Sequence, residues 1–429
     1  MLKRFWLITF IAATIIVQPL DAKETSAATK DENVNSYELL NLFGEVMERA
    51  KANYVEEVSD KQLIEAAING MLTSLDPHSS YLDEKDFKYM NEQTSGKFGG
   101  LGIEITMEQG VVKIVSPIDD TPAFKAGLKP GDYITHIDGE TIIGMSLNEA
   151  VDKMRGKPGT KVKLTIRRIN EKPFDVTLKR EEIKTQSVKT DIKDDDVFYI
   201  RIGSFSEDVD TDIKKAFEKA QKNRKEPLKG IVLDVRNNPG GLLDQAVAVS
   251  SLFLDQGEVV STRARNEEDT LRYSAKGKDI TNGMPIVVII NNGSASASEI
   301  VAGALQDHKR AVIIGEKSFG KGSVQTVVPL GDYGAMRLTT AKYYTPSGRS
   351  IQATGIEPDI VVHPAKLEEF TNDYGFSEAE YTNALENETV KKDKDKKDKK
   401  DEDKDWRLDY QLSRAVDLVK ALSVYTEAK

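Results

Sequence analysis

The chain has 429 residues, 39% of them hydrophobic, and a formal net charge of -10 from 60 basic and 70 acidic side chains. That balance argues against nucleic acid as the main partner, because phosphate binding needs a basic surface. There is no cysteine, which excludes disulfides, thiolate metal sites and a cysteine nucleophile, and the four histidines (His78, His136, His308, His363) lack metal-ligand spacing, so a zinc enzyme is not expected.

The length suits two or three domains with real cores. Residues 1–22 read as an export signal or short N-terminal anchor. Lys3 and Arg4 precede an apolar run over 5–17, Gln18 and Pro19 break it, and Ala22 offers a small residue for cleavage. The run is short for a membrane span, which needs roughly 20 apolar residues. Export would place the mature protein in the periplasm or envelope of a bacterium. A helical region follows over 36–90. Leu39, Phe43, Val46, Met47, Ala50 and Tyr54 keep helical spacing, and Ser59 with Gln62 signs a capping box before a second stripe. These helices either pack on the body or form a dimerisation arm.

Residues 96–170 read as a β-rich domain. A glycine-rich stretch, Gly99-Gly100-Leu101-Gly102-Ile103, leads into a strand; a second strand, a short helix ending at Gly127 and an Asp138-Gly139 hairpin signal follow. A helix over 146–155 and a last alternating strand with Val162, Leu164 and Ile166 complete it. The order resembles a PDZ domain. That resemblance implies that Gly99 to Gly102 offer N–H groups to a peptide's terminal carboxylate, with the peptide added beside the strand at Ile103. The plainer alternative is a tight turn. Arg155, Arg167 and Arg168 are either carboxylate or docking residues, or solvated.

From 173 to 365 strands and helices alternate, which reads as an α/β core. Gly230-Ile231-Val232-Leu233-Asp234-Val235 and Met284 to Ile290 are apolar runs suited to buried parallel strands. Each runs into small residues and then a helix, so N–H groups are free at two helix starts. Residues 366–429 form an extension. In it, 391–405 is an unbroken run of eight lysines and seven acids, a solvated tether, and Leu408, Leu412, Ala415, Val419 and Leu422 mark a last helix that docks on the body or on a second copy.

The second junction carries the chemistry. Asn291 to Gln325 holds a Ser/Ala run, a helix, a strand and a glycine turn bearing Lys321. A serine needs a base to become a nucleophile. Lysine serves if burial lowers its pKa from about 10.4. Gln325 shares strand parity with Lys321 and could orient it. Spacing alone leaves close packing and a solvated lysine as alternatives, with Lys317 and His308 nearby; His308 reads as a surface residue.

The motifs GSASASEI (from Gly293), EKSFGKGSVQ (from Glu316) and LDVRNNPGG (from Leu233), with the PDZ-like module upstream, resemble the carboxyl-terminal processing peptidases over about 36–363. The resemblance implies a crotonase/ClpP-like α/β (α+β) protease core with an inserted PDZ domain and helical segments at both ends. It implies Ser296 as nucleophile, Lys321 as base and Gln325 as its helper. Ser294 and Ser298 are lesser candidates. The oxyanion donors would be Ala297 and the Gly240-Gly241 pair, Gly241 favoured. The implied reaction needs no metal, nucleotide or other cofactor; the implied partners are proteins with exposed C-termini, and the implied assembly is a homo-oligomer, a dimer favoured. Two other readings stand beside it: a catalytically inactive PDZ scaffold, and a crotonase-like acyl-CoA enzyme.

Overall fold

The computed structural model describes residues 35–365, apart from 109, 119, 223 and 225, together with 385 and 405–427. The expected export signal and the charged tether up to residue 404 lie outside the described residues. The chain divides into two compact units, Met1–Ile68 and Asn69–Lys429. In the first, α1 (Ser36–Asn53) is capped by Asn35, whose side chain accepts from the Tyr37 N–H, and none of its residues is buried. The start of α2 (Asp60–Thr73) carries the expected capping box: Gln62 N–H donates to Ser59 Oγ at 3.2 Å and Ser59 N–H to Gln62 Oε1 at 2.9 Å. Among the described residues no helix is long and apolar enough to cross a membrane.

The second unit begins with β1 (Ser80–Leu82), α3 (Glu84–Ser95) and β2 (Lys97–Gly100). A β-rich body then takes in β3 (Ile103–Glu108), β4 (Val111–Pro117), α4 (Pro122–Lys125), β5 (Tyr133–Ile137), β6 (Glu140–Thr141), α5 (Leu147–Met154), β7 (Lys161–Arg167) and β8 (Phe174–Lys179). Its sheet runs β3-β4-β5-β7-β8, which among the described residues leaves one edge of β3 unpaired. The sheet reaches past residue 170, the expected limit, because Phe174, Val176 and Leu178 add one more alternating strand against β7. Ile114, Ile134, Leu164 and Ile166 fill its core with no exposed surface. The chain enters this body through β2 and leaves through β9 (Glu181–Lys184), and the two pair antiparallel. Entry and exit lie side by side, which lets a whole domain be inserted without disturbing its host.

The host is α/β, as expected. It comprises β10 (Val188–Lys193), β11 (Val197–Ile202), α6 (Val209–Lys222), β12 (Gly230–Asp234), α7 (Leu243–Ser251), β13 (Glu258–Ala264), β14 (Leu271–Ser274), β15 (Ile286–Ile290), α8 (Ala297–Asp307), β16 (Val312–Gly315), β17 (Ser323–Pro329), β18 (Ala335–Tyr344), β19 (Ile360–Val361) and α9 (Tyr410–Glu427). The main sheet is ordered β10-β11-β12-β15-β16-β19, parallel from β11 onward. Its central strands are buried on both faces, which explains their unbroken apolar sequences. Ile231, Leu233, Val288 and Ile290 face a core shared with α6, α7 and α8, while Val232, Val287 and Ile289 face α9 through Leu412, Ala415, Val416 and Val419. The last helix therefore docks on the body. A second sheet, β1-β18-β13-β14 with β17 also on β18, brings the segment after α2 against the core: Ser80 stands opposite Arg337.

Candidate active site

Strands β12 and β15 lie side by side and parallel, so their C-terminal loops leave the sheet at the same edge, the usual place for a site in an open α/β sheet. The loops are tied together by their own side chains. Asn237 N–H donates to Asn291 Oδ1 at 2.8 Å, and Asn291 Nδ2 to Asn237 Oδ1 at 2.9 Å. Ser294 Oγ donates to the Val235 carbonyl at 2.8 Å and Ser298 Oγ to the Asn238 carbonyl at 3.0 Å. Both serines are fully buried. Ser296, between them, is half-buried and caps α8 with φ 56° and ψ −113°. A positive φ at a residue with a Cβ is strained and persists only where the surroundings enforce it.

Glu299 supplies much of that enforcement. It is buried with no exposed surface, and its carboxylate accepts from Ser296 N–H at 2.8 Å, Lys321 N–H at 2.9 Å, Gly320 N–H at 2.7 Å and Ser318 Oγ at 2.6 Å. One side chain thus fixes the backbones of Ser296 and Lys321 together. The S-x-x-E spacing from Ser296 was a visible capping-box signal that the sequence reading left unused. Tyr343 was missed as well, with no local signal to reveal it. Its buried hydroxyl donates to the Lys321 carbonyl. Burial, with Glu299 nearby, pushes its pKa far up, and Ser296 beside it partly offsets this.

Lys321 is half-buried in the loop before β17. Burial pushes its pKa down and the Arg337 charge adds to this, while Glu299 and Asp76 oppose it. Lys317 is exposed and pairs with Glu357 at 2.6 Å. His308, expected at the surface, is half-buried instead, its Nε2 2.7 Å from the Glu258 carbonyl oxygen and its ring against Gly257. The parity argument for Gln325 needs correction: Lys321 precedes β17, and a register shift falls between Val324 and Gln325. The Gln325 amide nitrogen donates to Ser323 Oγ at 2.9 Å and Thr339 Oγ1 at 3.2 Å. Even so, a cavity of about 430 Å³ brings together Ser296, Ala297, Gly241, Lys321, Gln325 and Tyr343.

The two glycines of the other loop differ in role. Gly240 donates its N–H to Asn238 Oδ1 at 2.9 Å, which occupies that donor. A Cβ there, at φ 108°, would stand 2.8 Å from Ser296 Cβ. Gly241, at φ 144°, packs so closely on Phe205 that a Cβ would come within 2.3 Å of its carbonyl oxygen. Among the described residues neither Gly241 nor Ala297 has an acceptor for its N–H. The strand feeding this loop is pinned by Arg236, which bonds Asp234 Oδ2 at 2.7 Å and, from the C-terminal segment, Asp409 Oδ2 at 2.7 Å and Gln411 Oε1 at 3.0 Å.

In the β-rich body the expected glycine loop is shorter than the sequence implies. Gly99 and Gly100 belong to β2, paired with Glu182 and Glu181 of β9. Gly99 is needed for packing, since a Cβ would lie 2.0 Å from the Gly156 carbonyl oxygen. The turn itself is Leu101-Gly102, with Gly102 at φ 73° and Ile103 opening β3. Arg168 pairs with buried Asp132 at 2.7 Å and Arg155 with Glu92 at 3.2 Å.

Comparison with known proteins matches residues 196–362 to peptidase family S41, 99–181 to the PDZ domain and 7–86 to the N-terminal domain of the activating protease CtpB. A carboxy-terminal-processing protease from Bartonella bacilliformis is 54% identical over 85% of this chain and 84% of its own length. The chain belongs to the carboxy-terminal processing protease family. The protease is also 38% identical to the carboxy-terminal processing protease CtpA of Bacillus subtilis, over 79% of this chain and 70% of that one. A photosystem II D1 C-terminal processing protease of known structure is 30% identical over 75% of this chain and 92% of its own, with a TM-score of 0.45. The chain is thus a serine protease of the C-terminal processing type carrying a PDZ domain. Among the described residues of the protease no cluster of three or more carboxylates and histidines could hold a metal ion.

Proposed function

We propose that the protease cleaves exported proteins by a Ser-Lys acyl-enzyme mechanism, with Ser296 as nucleophile, Lys321 as base and Gln325 as the partner that orients the lysine. The observation that carries this is the single buried carboxylate of Glu299, which holds the backbones of both Ser296 and Lys321. Ser294 and Ser298 have their hydroxyls committed to carbonyls, and Lys317 is committed to Glu357, which leaves Ser296 and Lys321 facing the cavity.

Neutral Lys321 takes the Ser296 Oγ proton as Oγ bonds to the scissile carbonyl carbon. The carbonyl oxygen becomes an oxyanion, and the Gly241 and Ala297 N–H groups receive it; one such donor contributes roughly 3 kcal/mol. The Lys321 ammonium then gives its proton to the leaving amine nitrogen as the C–N bond breaks. Water attacks the resulting ester with Lys321 again as base, and the proton returns to Ser296 Oγ. Desolvation supports this role by favouring the neutral amine.

In the same proposal the PDZ domain selects substrates by their C-termini. The unpaired edge of β3 can accept a peptide as an added strand, and the turn Leu101-Gly102-Ile103 can receive its carboxylate. The exposed apolar side chains of α1, among them Leu40, Phe43 and Val46, suit a contact with a second copy. The residue 1–22 segment directs export to the envelope. The test is hydrolysis of an unfolded labelled protein such as casein. The parent chain should cleave it, and Ser296→Ala and Lys321→Ala should each reduce cleavage to background. Undiminished cleavage by either variant removes that residue from the mechanism.

A further inference from the structure

A loop far from Ser296 in sequence carries Asp76, one of the charges that act on Lys321. After α2 the chain turns at Asp76-Pro77-His78-Ser79 before entering β1. The Asp76 carboxylate organises that turn. Its Oδ1 accepts from His78 N–H at 2.8 Å and Ser79 N–H at 3.0 Å, and its Oδ2 from Ser79 Oγ at 2.7 Å. Oδ1 also accepts from Thr339 Oγ1 of β18 at 3.1 Å, and Ser79 Oγ accepts the Thr339 N–H at 3.1 Å. Thr339 stands directly opposite Gln325 across the β17–β18 ladder, and its Oγ1 is the acceptor for the Gln325 amide nitrogen.

The donor and acceptor roles in this chain are forced. An ionised carboxylate only accepts, so the Thr339 hydroxyl proton lies on the Asp76 side. Its oxygen is then left to accept, and only the Nε2 end of Gln325 can meet it. The amide is therefore set one way round, with its carbonyl oxygen Oε1 as the other end, and Gln325 and Lys321 line the same cavity. We propose that Asp76 and Thr339 are positioning residues of the protease, a relay that fixes the Gln325 amide with its oxygen as the acceptor for the Lys321 amine. This rests on the reading of Gln325 as the partner of Lys321. An amide turned the other way would aim N–H groups at the ammonium formed in the reaction, which disfavours it.

Burial pushes the Asp76 carboxyl up, but the bonds from Ser79, His78 N–H and Thr339 outweigh it and hold it below the usual range, which favours the ionised form. The other charges acting on the base are Arg337 and Glu299; the His78 ring is pushed toward its neutral form by burial and by Lys321, and Arg337 Nε donates to the His78 carbonyl at 3.0 Å. The turn and the base thus share one electrostatic neighbourhood.

The experiment compares casein hydrolysis by Thr339→Val, Thr339→Ser, Gln325→Ala and the Thr339→Val/Gln325→Ala double variant. Valine keeps the strand's shape and β-propensity while removing the hydroxyl. Thr339→Val should lower kcat about tenfold or more with KM within about twofold, since misorienting one catalytic partner costs on that order. Thr339→Ser should recover most of the loss. In the Gln325→Ala background Thr339→Val should cost nothing further, because the relay then has nothing to position. Full activity in Thr339→Val, or an equal loss with and without Gln325, overturns the relay while leaving the Gln325 assignment intact. Full activity in Gln325→Ala overturns that assignment and the relay with it.

Discussion

The proposed catalytic junction and the PDZ edge are built in opposite ways. At the junction the hydrogen-bonding groups around Ser296 are tied up: Glu299 takes four donors, Ser294 and Ser298 are tied to carbonyls, and Gly240 is tied to Asn238. What stays open is the small set the chemistry needs. At the PDZ edge the open set is a whole strand side, because β3 ends its sheet. A site that makes and breaks one bond has to hold a few atoms still. A site that receives many peptide tails needs an unfilled backbone ladder and one turn for the terminus.

The comparison can be broken first at Glu299. Glu299→Ala leaves four donors without this partner, two of them buried, and frees the strained Ser296 backbone. We expect kcat to fall about 100-fold or more and thermal stability to drop, since each unmade buried hydrogen bond costs roughly 1–3 kcal/mol. Calorimetry with steady-state kinetics checks this. Wild-type rates in Glu299→Ala would mean that the junction is not held through this carboxylate.

A finer test reads the charges around Lys321. In the proposed mechanism the base works when neutral, so activity should rise with pH through the Lys321 pKa, which burial and Arg337 hold below its usual value. Asp76 opposes that shift, so Asp76→Asn should move the acid limb of kcat/KM to lower pH. Arg337 reinforces it, so Arg337→Met should move the limb to higher pH. Limbs that move the other way, or coincide, would remove Lys321 as the titrating group.

On the recognition side, Gly102→Ala places a Cβ at φ 73°, where it would meet Thr121 at 2.2 Å. Binding of a fluorescent peptide with a free C-terminus should weaken about tenfold, while an amidated peptide, already deprived of its carboxylate, should change little. Equal losses for both would point to general damage of the domain. The smallest effect belongs to Lys317→Ala. Removal of an exposed pair with Glu357 should leave activity within about twofold, and a large loss would reopen the choice of base.

How much of this was legible in the sequence follows from where the signals lie. The buried strands at Gly230–Asp234 and Ile286–Ile290 announced themselves by unbroken apolar runs, and the two junctions by small residues placed after them. The helix start and glycine turns around Ser296, Lys321 and Gly241 are written within a few residues, but the choice of Ser296 over Ser294 and Ser298, and of Gly241 over Gly240, rests on the family resemblance. Glu299 was equally local and was passed over because its spacing from Ser296 was not read as a cap. Asp76 and Tyr343 could not be found that way. Asp76 bonds Thr339 across 263 residues, and nothing in either neighbourhood announces the other. The same holds for Arg236 and Asp409, 173 residues apart. Gly99 and Gly100 misled because glycine marks close approach as well as turns, and here the close approach to Gly156 governs Gly99.

The most direct test of the central claim is the site of acylation. The parent chain, mixed with p-nitrophenyl acetate, quenched in acid and mapped by peptide mass spectrometry, should carry one acetyl group on Ser296, formed with a burst of nitrophenol that Lys321→Ala slows. Acetyl on Ser294 or Ser298, or steady turnover of the ester with no adduct at Ser296, would contradict the account.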